Sequence, residues 1–272
     1  MAIGSYDDII AAIVAGKHQE LHFAKTLPAS PAAGACVSLW EGGSMPAAGG
    51  SGSSLTARNC GPTTTGAISF ANASGDDENY LINVLAWASA SGIGSLVVYD
   101  RIADISGISM SATGIQNISM GSLPRYTDGA GVMLFMEVST TIVGGPVFTV
   151  AYTDQDGNSA TSQTVTCSAV NAGRFAYNAG PYIPLASGDT GVRAVTSITN
   201  SVGGSTGVGR LVFAKPLLVL PLLTAGTVVE RDLVTQTPKL PMLPDDHCLS
   251  AFVVGAGSTT GTVYGSLSAV GG

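Results

Sequence analysis

Along most of its length the chain alternates short apolar runs with turn-forming residues, the pattern of a protein built from strands. Residues 67–70, 95–99, 132–138 and 147–152 are such runs, bounded by Gly, Asp, Asn or Pro, which is how buried strands read. Further runs at 191–199, 210–220 and 248–254 continue the series. The pair Asp156-Gly157 separates a run ending at Tyr152 from one covering 160–167, a spacing that predicts a β-hairpin. Residues 79–90 fit a short helix or a strand equally well. Many short strands with frequent turn signals and no regular repeat predict a mainly β fold with a sandwich or jelly-roll-like body.

Both ends depart from that pattern. At the amino terminus Ser5 is placed to cap a helix, Asp7 and Asp8 fall in its first turn, and Ile9, Ile10, Ile13 and Val14 form an apolar stripe. Gly16-Lys17 is the expected stop, after which Leu21 and Phe23 alternate with polar neighbours as a short strand would. Residues 26–66 hold Pro28, Pro31, Pro46 and Pro62 among Gly, Ala and Ser, a composition unsuited to regular core structure. Leu39 and Trp40 in its middle are expected to pin this arm to a surface. An arm wrapped around a neighbouring subunit and a floppy linker read alike here. Residues 223–272 pair an apolar start with Pro238, Pro241 and Pro244 and a Gly/Ser/Thr-rich end, suited to docking or to a mobile terminus. The expected organisation is therefore 1–25 helix and short strand, 26–66 extended arm, 67–222 β body and 223–272 carboxy-terminal extension.

Composition changes the picture in one respect. Charged residues make up 11% of the 272, against about 25% in an ordinary soluble domain, while mean hydropathy is +0.37. No apolar run reaches the ~20 residues a membrane span needs; the longest, 211–223, is broken by Lys215, Pro216 and Pro221. Such a chain is expected to hide apolar surface against other protein copies, as a homodimer or homotrimer. A net charge of −7, with 11 Lys and Arg and no basic cluster, speaks against a nucleic-acid partner. Cys36, Cys60, Cys167 and Cys248 include no close pair of the zinc-site kind. With no secretory signal pattern at the start, they read as free buried thiols made in a reducing cytoplasm.

Candidate chemistry is thin. His18 and His22 stand four apart, the spacing of two metal ligands on a helix, but Gln19 occupies the place of a zincin glutamate, so a solvated helix end is the expectation. Gly203-Gly204-Ser205-Thr206-Gly207 matches a nucleophile-elbow pattern yet lies in what reads as a loop. The stretch 154–158 opens like a calcium loop but lacks the distal glutamate. The acidic triplet Asp76-Asp77-Glu78 reads as a solvated turn. No enzyme class, cofactor or metal site is expected. Of Arg101, beside Asp100, and Arg125, beside Tyr126 and Asp128, one is expected to make a bidentate pair with a carboxylate inside the body or at its edge, or else to serve at an interface. Leu39 and Trp40 join them as expected interface residues.

Several stretches together carry a resemblance: residues 5–17, 39–49, 99–102, 123–132, 151–157 and 188–193. They resemble a group of virion structural proteins of tailed bacteriophages encoded near the capsid genes. The resemblance runs over most of residues 5–220. It implies a non-enzymatic part of the particle, made in the host cytoplasm, with capsid decoration (cementing) of the major capsid protein the leading role. It implies no catalytic residues. A tail, neck or baseplate component is the alternative, and a carbohydrate-binding sandwich module, from a different class, a second; scarce aromatics, 6%, count against the module, and a secreted hydrolase comes last.

Overall fold

A computed structural model describes residues 3–73, 75, 77–177 and 179–272; Asp76 of the acidic triplet lies outside them. In chain order the elements begin with helix α1 (Tyr6–Val14), then β1 (His18–Thr26), β2 (Cys36–Ser38), β3 (Ser44–Met45), β4 (Ala57–Asn59), β5 (Asn79–Ala88), β6 (Gly94–Ser109), β7 (Gly114–Asn117) and β8 (Met133–Val143). They continue with β9 (Val147–Asp154), β10 (Ser159–Thr161), β11 (Val165–Thr166), β12 (Val192–Val202), β13 (Thr206–Leu222) and β14 (Val229–Asp232). Helix α2 (Leu233–Gln236), β15 (Met242–Leu243), β16 (Leu249–Val254) and β17 (Thr262–Gly271) complete the chain. The protein is mainly β, antiparallel, with a sandwich-like body and one short amino-terminal helix. No described helix is long and apolar enough to cross a membrane.

The centre of the molecule is a sheet ordered β2-β16-β6-β13-β8. Its two long strands are bent by bulges, at Gly209/Leu211, Phe213/Ala214 and Pro216/Leu218 of β13, which is how a sheet curls. Residues 173–176 then close it. On one side Val138 N–H donates to Arg174 and Ala176 N–H to Met136; on the other Ser38 N–H donates to Gly173 and Phe175 N–H to Cys36. The result is a small closed barrel with no free edge over that stretch. Pro216 and Pro221 sit in β13 beyond Ala214, where β8 no longer pairs with it. On the β8 side the strand is an edge there, the kind of position where proline is tolerated.

Alternation sorts the barrel strands into two faces. Inside lie Val97, Tyr99, Phe135, Phe175, Val212 and Phe252, with Phe135 and Phe175 stacked at 4.3 Å between centroids and Tyr99 edge-on to Phe135 at 5.3 Å. Outside, Leu96, Val98, Leu220 and Val253 pack against a second sheet, β14-β5-β17-β1-β3. Farther along the same outer face, Ile105, Met136, Leu211 and Phe213 pack against a third, β10-β9-β12-β7.

Of residues 79–90, readable as helix or strand, 79–88 form strand β5, in which Val84, Ala86 and Ala88 alternate into the core. Residues 67–70, expected to be a strand, make only a bridge from Ile68 to Leu249. The hairpin at Asp156-Gly157 forms as expected: Gly157 takes φ +88°, and the Asp154 carboxylate accepts from the N–H groups of Asp156 and Asn158, each at 2.8 Å.

The termini are woven in rather than appended. In α1 the Ser5 hydroxyl caps Asp8 N–H at 3.3 Å, and the Asp8 carboxylate accepts in return from Gly4 N–H and the Ser5 hydroxyl. Gly16, at φ +75°, ends it. The face turned inward is Ile9 and Ala12, against Ile82 and Val270; of the expected stripe, Ile10, Ile13 and Val14 stay exposed. His18 and His22 belong to β1, not to a helix end, because the helix has already stopped. The expected carboxy-terminal extension holds two central strands: β16 lies between β2 and β6, and β17 between β5 and β1. Its small residues are what β17 needs, since a Cβ on Gly265 would stand 2.3 Å from the Phe23 ring.

Candidate functional site: the plugged end of the barrel

Residues 27–66 run over one end of the barrel, with β2, β3 and β4 as their short regular pieces. The anchor is Trp40, fully buried, with Leu39 1% exposed. Its ring packs among Cys60, Cys248 and Ala67 and lies over the Arg101 guanidinium at 4.3 Å. Gly49 must be glycine here, because a Cβ would lie 1.9 Å from the indole. Lys25, buried beneath the same arm, donates to the carbonyls of Gly42 (3.2 Å) and Ala47 (2.9 Å); burial lowers its pKa to about 8.

Below Trp40 the barrel interior turns from aromatic to ionic. Arg101 forks onto Glu137, with Nη1 to Oε1 and Nη2 to Oε2 both at 3.0 Å. Its Nε and Nη2 also reach one oxygen of Asp104, at 3.1 and 2.8 Å. Arg58, from β4 in the arm, grips Asp104 from the other side at 3.1 and 2.6 Å. Arg210 bonds Glu41, the Ser51 hydroxyl and Glu137. Ser38 donates to Glu137 at 2.5 Å. Three arginines thus meet three carboxylates, and the formal charges of this network balance.

Burial alone would raise the Glu137 and Asp104 carboxyls. The charges and hydrogen bonds of Arg101, joined by Arg210 and Ser38 at Glu137 and by Arg58 at Asp104, together outweigh it, and each is held below the usual range. Glu41 goes the other way: burial and the nearby Glu137 charge raise it against the pull of Arg210.

A second cluster sits where two strands meet end to end. Arg125 forks onto Asp100, Nε to Oδ2 at 2.7 Å and Nη2 to Oδ1 at 2.5 Å. It also donates to the carbonyls of Cys60 and Arg101 at 2.8 and 2.9 Å. Asp100 in turn accepts from Cys248 N–H at 2.9 Å. One guanidinium therefore fastens the end of the arm, β6 and the start of β16. Beside it His247 is fully buried, accepting from Phe70 N–H at Nε2 (3.0 Å) and lying 2.6 Å from the Pro244 carbonyl through Nδ1. That arrangement needs a neutral ring, and burial lowers its pKa.

All four residues expected at an interface are thus inside the chain: Leu39 and Trp40 in its core, Arg101 and Arg125 in bidentate pairs. The reason is the same for each. The arm folds back on its own barrel, and both arginines find carboxylates from β6 or β8 within reach. The partners Glu137, Asp104, Arg210, Glu41 and Arg58 were not singled out from sequence. For Asp104, Glu137 and Arg210 the signal is a charged residue inside an apolar strand of a chain with few charges; Glu41 and Arg58 lie in the arm and carry no such signal.

Ser205 lies in the β12–β13 hairpin, with its hydroxyl on the Val143 carbonyl. Among the described residues no three His, Cys, Asp or Glu side chains converge as metal ligands would. Chemically the plugged end is a clamp: its carboxylates are occupied by guanidinium groups, and its charges hold chain segments together.

The fold and clamp define a mainly β protein organised around a closed, ion-plugged barrel. No protein-family model matches the chain, and neither does any curated protein. Among solved structures, infectious bursal disease virus Gt strain matches at 10% identity, covering 94% of this chain and 81% of that one, with a TM-score of 0.17. The VP2 subviral particle of infectious bursal disease virus matches at 10% identity, covering 93% and 80%, with a TM-score of 0.19. Superpositions this poor carry no weight for fold or function.

Proposed function

We propose that the chain is a non-enzymatic structural protein of a tailed-phage virion, a decoration protein that reinforces the head by bridging major capsid protein subunits. It is made in the host cytoplasm and assembles as a homodimer or homotrimer. The observation that carries the reading is where the chain places its charge. Asp100, Arg101, Asp104, Arg125, Glu137 and Arg210 are used on internal pairs. The outer surface meanwhile presents Ile10, Val14, Ile115, Val219 and Leu223, each more than half exposed. A rigid body with an apolar, weakly charged exterior suits packing against protein. Many modest contacts repeated over a lattice supply avidity without a strong single bond.

One observation favours a second reading, a carbohydrate-binding module: half-buried Trp87 and Tyr264 stack at 5.4 Å on the outer face of β5 and β17. A subunit-resolution map of the assembled particle separates these readings. Density for this chain over the coat shell is expected. Density confined to neck, tail or baseplate overturns the decoration role, and binding to a glycan array lost in Trp87→Ala moves the protein to the second reading.

A further inference from the structure

The two cysteines beside Trp40 are placed by the β6 ladder. Cys60 follows β4 and donates its N–H to Ile102 at 3.0 Å, while Cys248 precedes β16 and accepts from Arg101 N–H at 2.8 Å. Strands β4 and β16 both run antiparallel to β6, on the side away from β13. Ile102 and Arg101 are consecutive, so the cysteines stand one rung apart in the same lane, on segments 188 residues apart in sequence. A disulfide needs its two Cα atoms within about 7 Å, and the shared lane on β6 makes the two cysteines immediate neighbours. Both side chains pack in one small buried cluster with Trp40. Arg125 fixes the junction, holding the Cys60 carbonyl directly and Cys248 N–H through Asp100.

Cys36 and Cys167 differ: each is buried apart from the other cysteines, and burial pushes each thiol up to about 12. At Cys60 the neighbouring Cys248 side chain, with Arg101 and Arg58 nearby, favours the thiolate, the reactive form.

We propose that Cys60 and Cys248 are a latent disulfide, formed when the folded chain meets a small-molecule disulfide, which locks the arm covalently to the barrel. The Cys60 thiolate attacks one sulfur of the small disulfide, forming a mixed disulfide and releasing the first thiolate. The Cys248 thiolate then attacks the Cys60 sulfur and expels the second. Two protein thiols are oxidised, one small disulfide is reduced to two thiols, and the two protons go to the leaving thiolates or solvent. Cys60 is 2% exposed and Cys248 fully buried, so the first step waits on the arm lifting from the barrel, and the product prevents the arm from lifting again.

The test uses the full chain, purified reduced and then incubated with oxidised glutathione. Peptide mapping without reductant should find the Cys60 and Cys248 peptides joined, and the melting temperature should rise by roughly 10 °C. A Cys36→Ala/Cys167→Ala variant should give the same link and the same rise, with both proposed partners left in place. Glutathione adducts that never resolve into a link, a link through Cys36 or Cys167, or a link without a rise in melting temperature each overturn the proposal.

Discussion

Trp40→Ala tests whether the glycine-rich arm belongs to the fold or merely lies on it. A tryptophan attaching an arm to a neighbouring subunit would affect binding when removed and leave stability almost unchanged. Here the indole is fully buried among Cys60, Cys248 and Ala67 and covers the Arg101 guanidinium. Truncating a buried tryptophan costs about 3–5 kcal/mol, and losing a desolvated cation–π contact adds about 1–2. The expected loss is therefore about 4–7 kcal/mol, or a fall in melting temperature on the order of 10–30 °C. Equilibrium urea unfolding followed by far-ultraviolet circular dichroism measures it, with Trp87 left as a fluorescent reporter. Limited proteolysis should show new cleavage within residues 49–54. A change under about 1 kcal/mol, the range of ordinary surface substitutions, would refute the reasoning and return Trp40 to the role of an external anchor.

Other outcomes follow from the same structure. Glu137→Gln leaves Arg101 and Arg210 short of a buried partner, and urea melts should show a loss of about 3–5 kcal/mol; an unchanged midpoint would mean that the network contributes nothing. Gly49→Ala puts a methyl 1.9 Å from the Trp40 ring, and thermal melts should show a loss of about 1–3 kcal/mol. Because the folded state lowers the His247 pKa, the unfolded chain binds that proton first: the stabilisation is present above pH ~6.5 and is lost as pH falls below it. Melting temperature measured down to pH ~5 should decline in the wild type, and His247→Asn should flatten that decline relative to its own value at neutral pH. Light scattering on the purified chain should give a dimer or trimer; a clean monomer at tens of micromolar would remove the self-association.

The strands were legible where local pattern and tertiary role agree. The Asp156-Gly157 hairpin and the runs that became β6, β8, β9, β12, β13 and β16 announce themselves by apolar residues between turn formers. The barrel did not, because closure depends on residues 173–176 pairing with both β2 and β8, contacts that no local pattern encodes. Strand β17 was hidden by composition: Gly265 looks like flexibility in sequence and is a seat for Phe23 in space. The arginines were visible, and a bidentate pair was expected of one of Arg101 and Arg125, where both make one. Their partners were not, because Glu137 is 36 residues from Arg101 and Arg210 is 169 from Glu41. Hydropathy likewise gave α1 a stripe of Ile9, Ile10, Ile13 and Val14, whereas docking on Ile82 and Val270 selected Ile9 and Ala12.

The central proposal, reinforcement of a phage head, is tested most directly by comparing particles that contain the protein with particles that lack it. DNA release on heating and on osmotic shock should occur at lower temperature and under milder shock without the protein, from heads that otherwise assemble normally. Equally robust heads that lack tails or fail to adsorb would contradict the proposal and assign the chain to the tail.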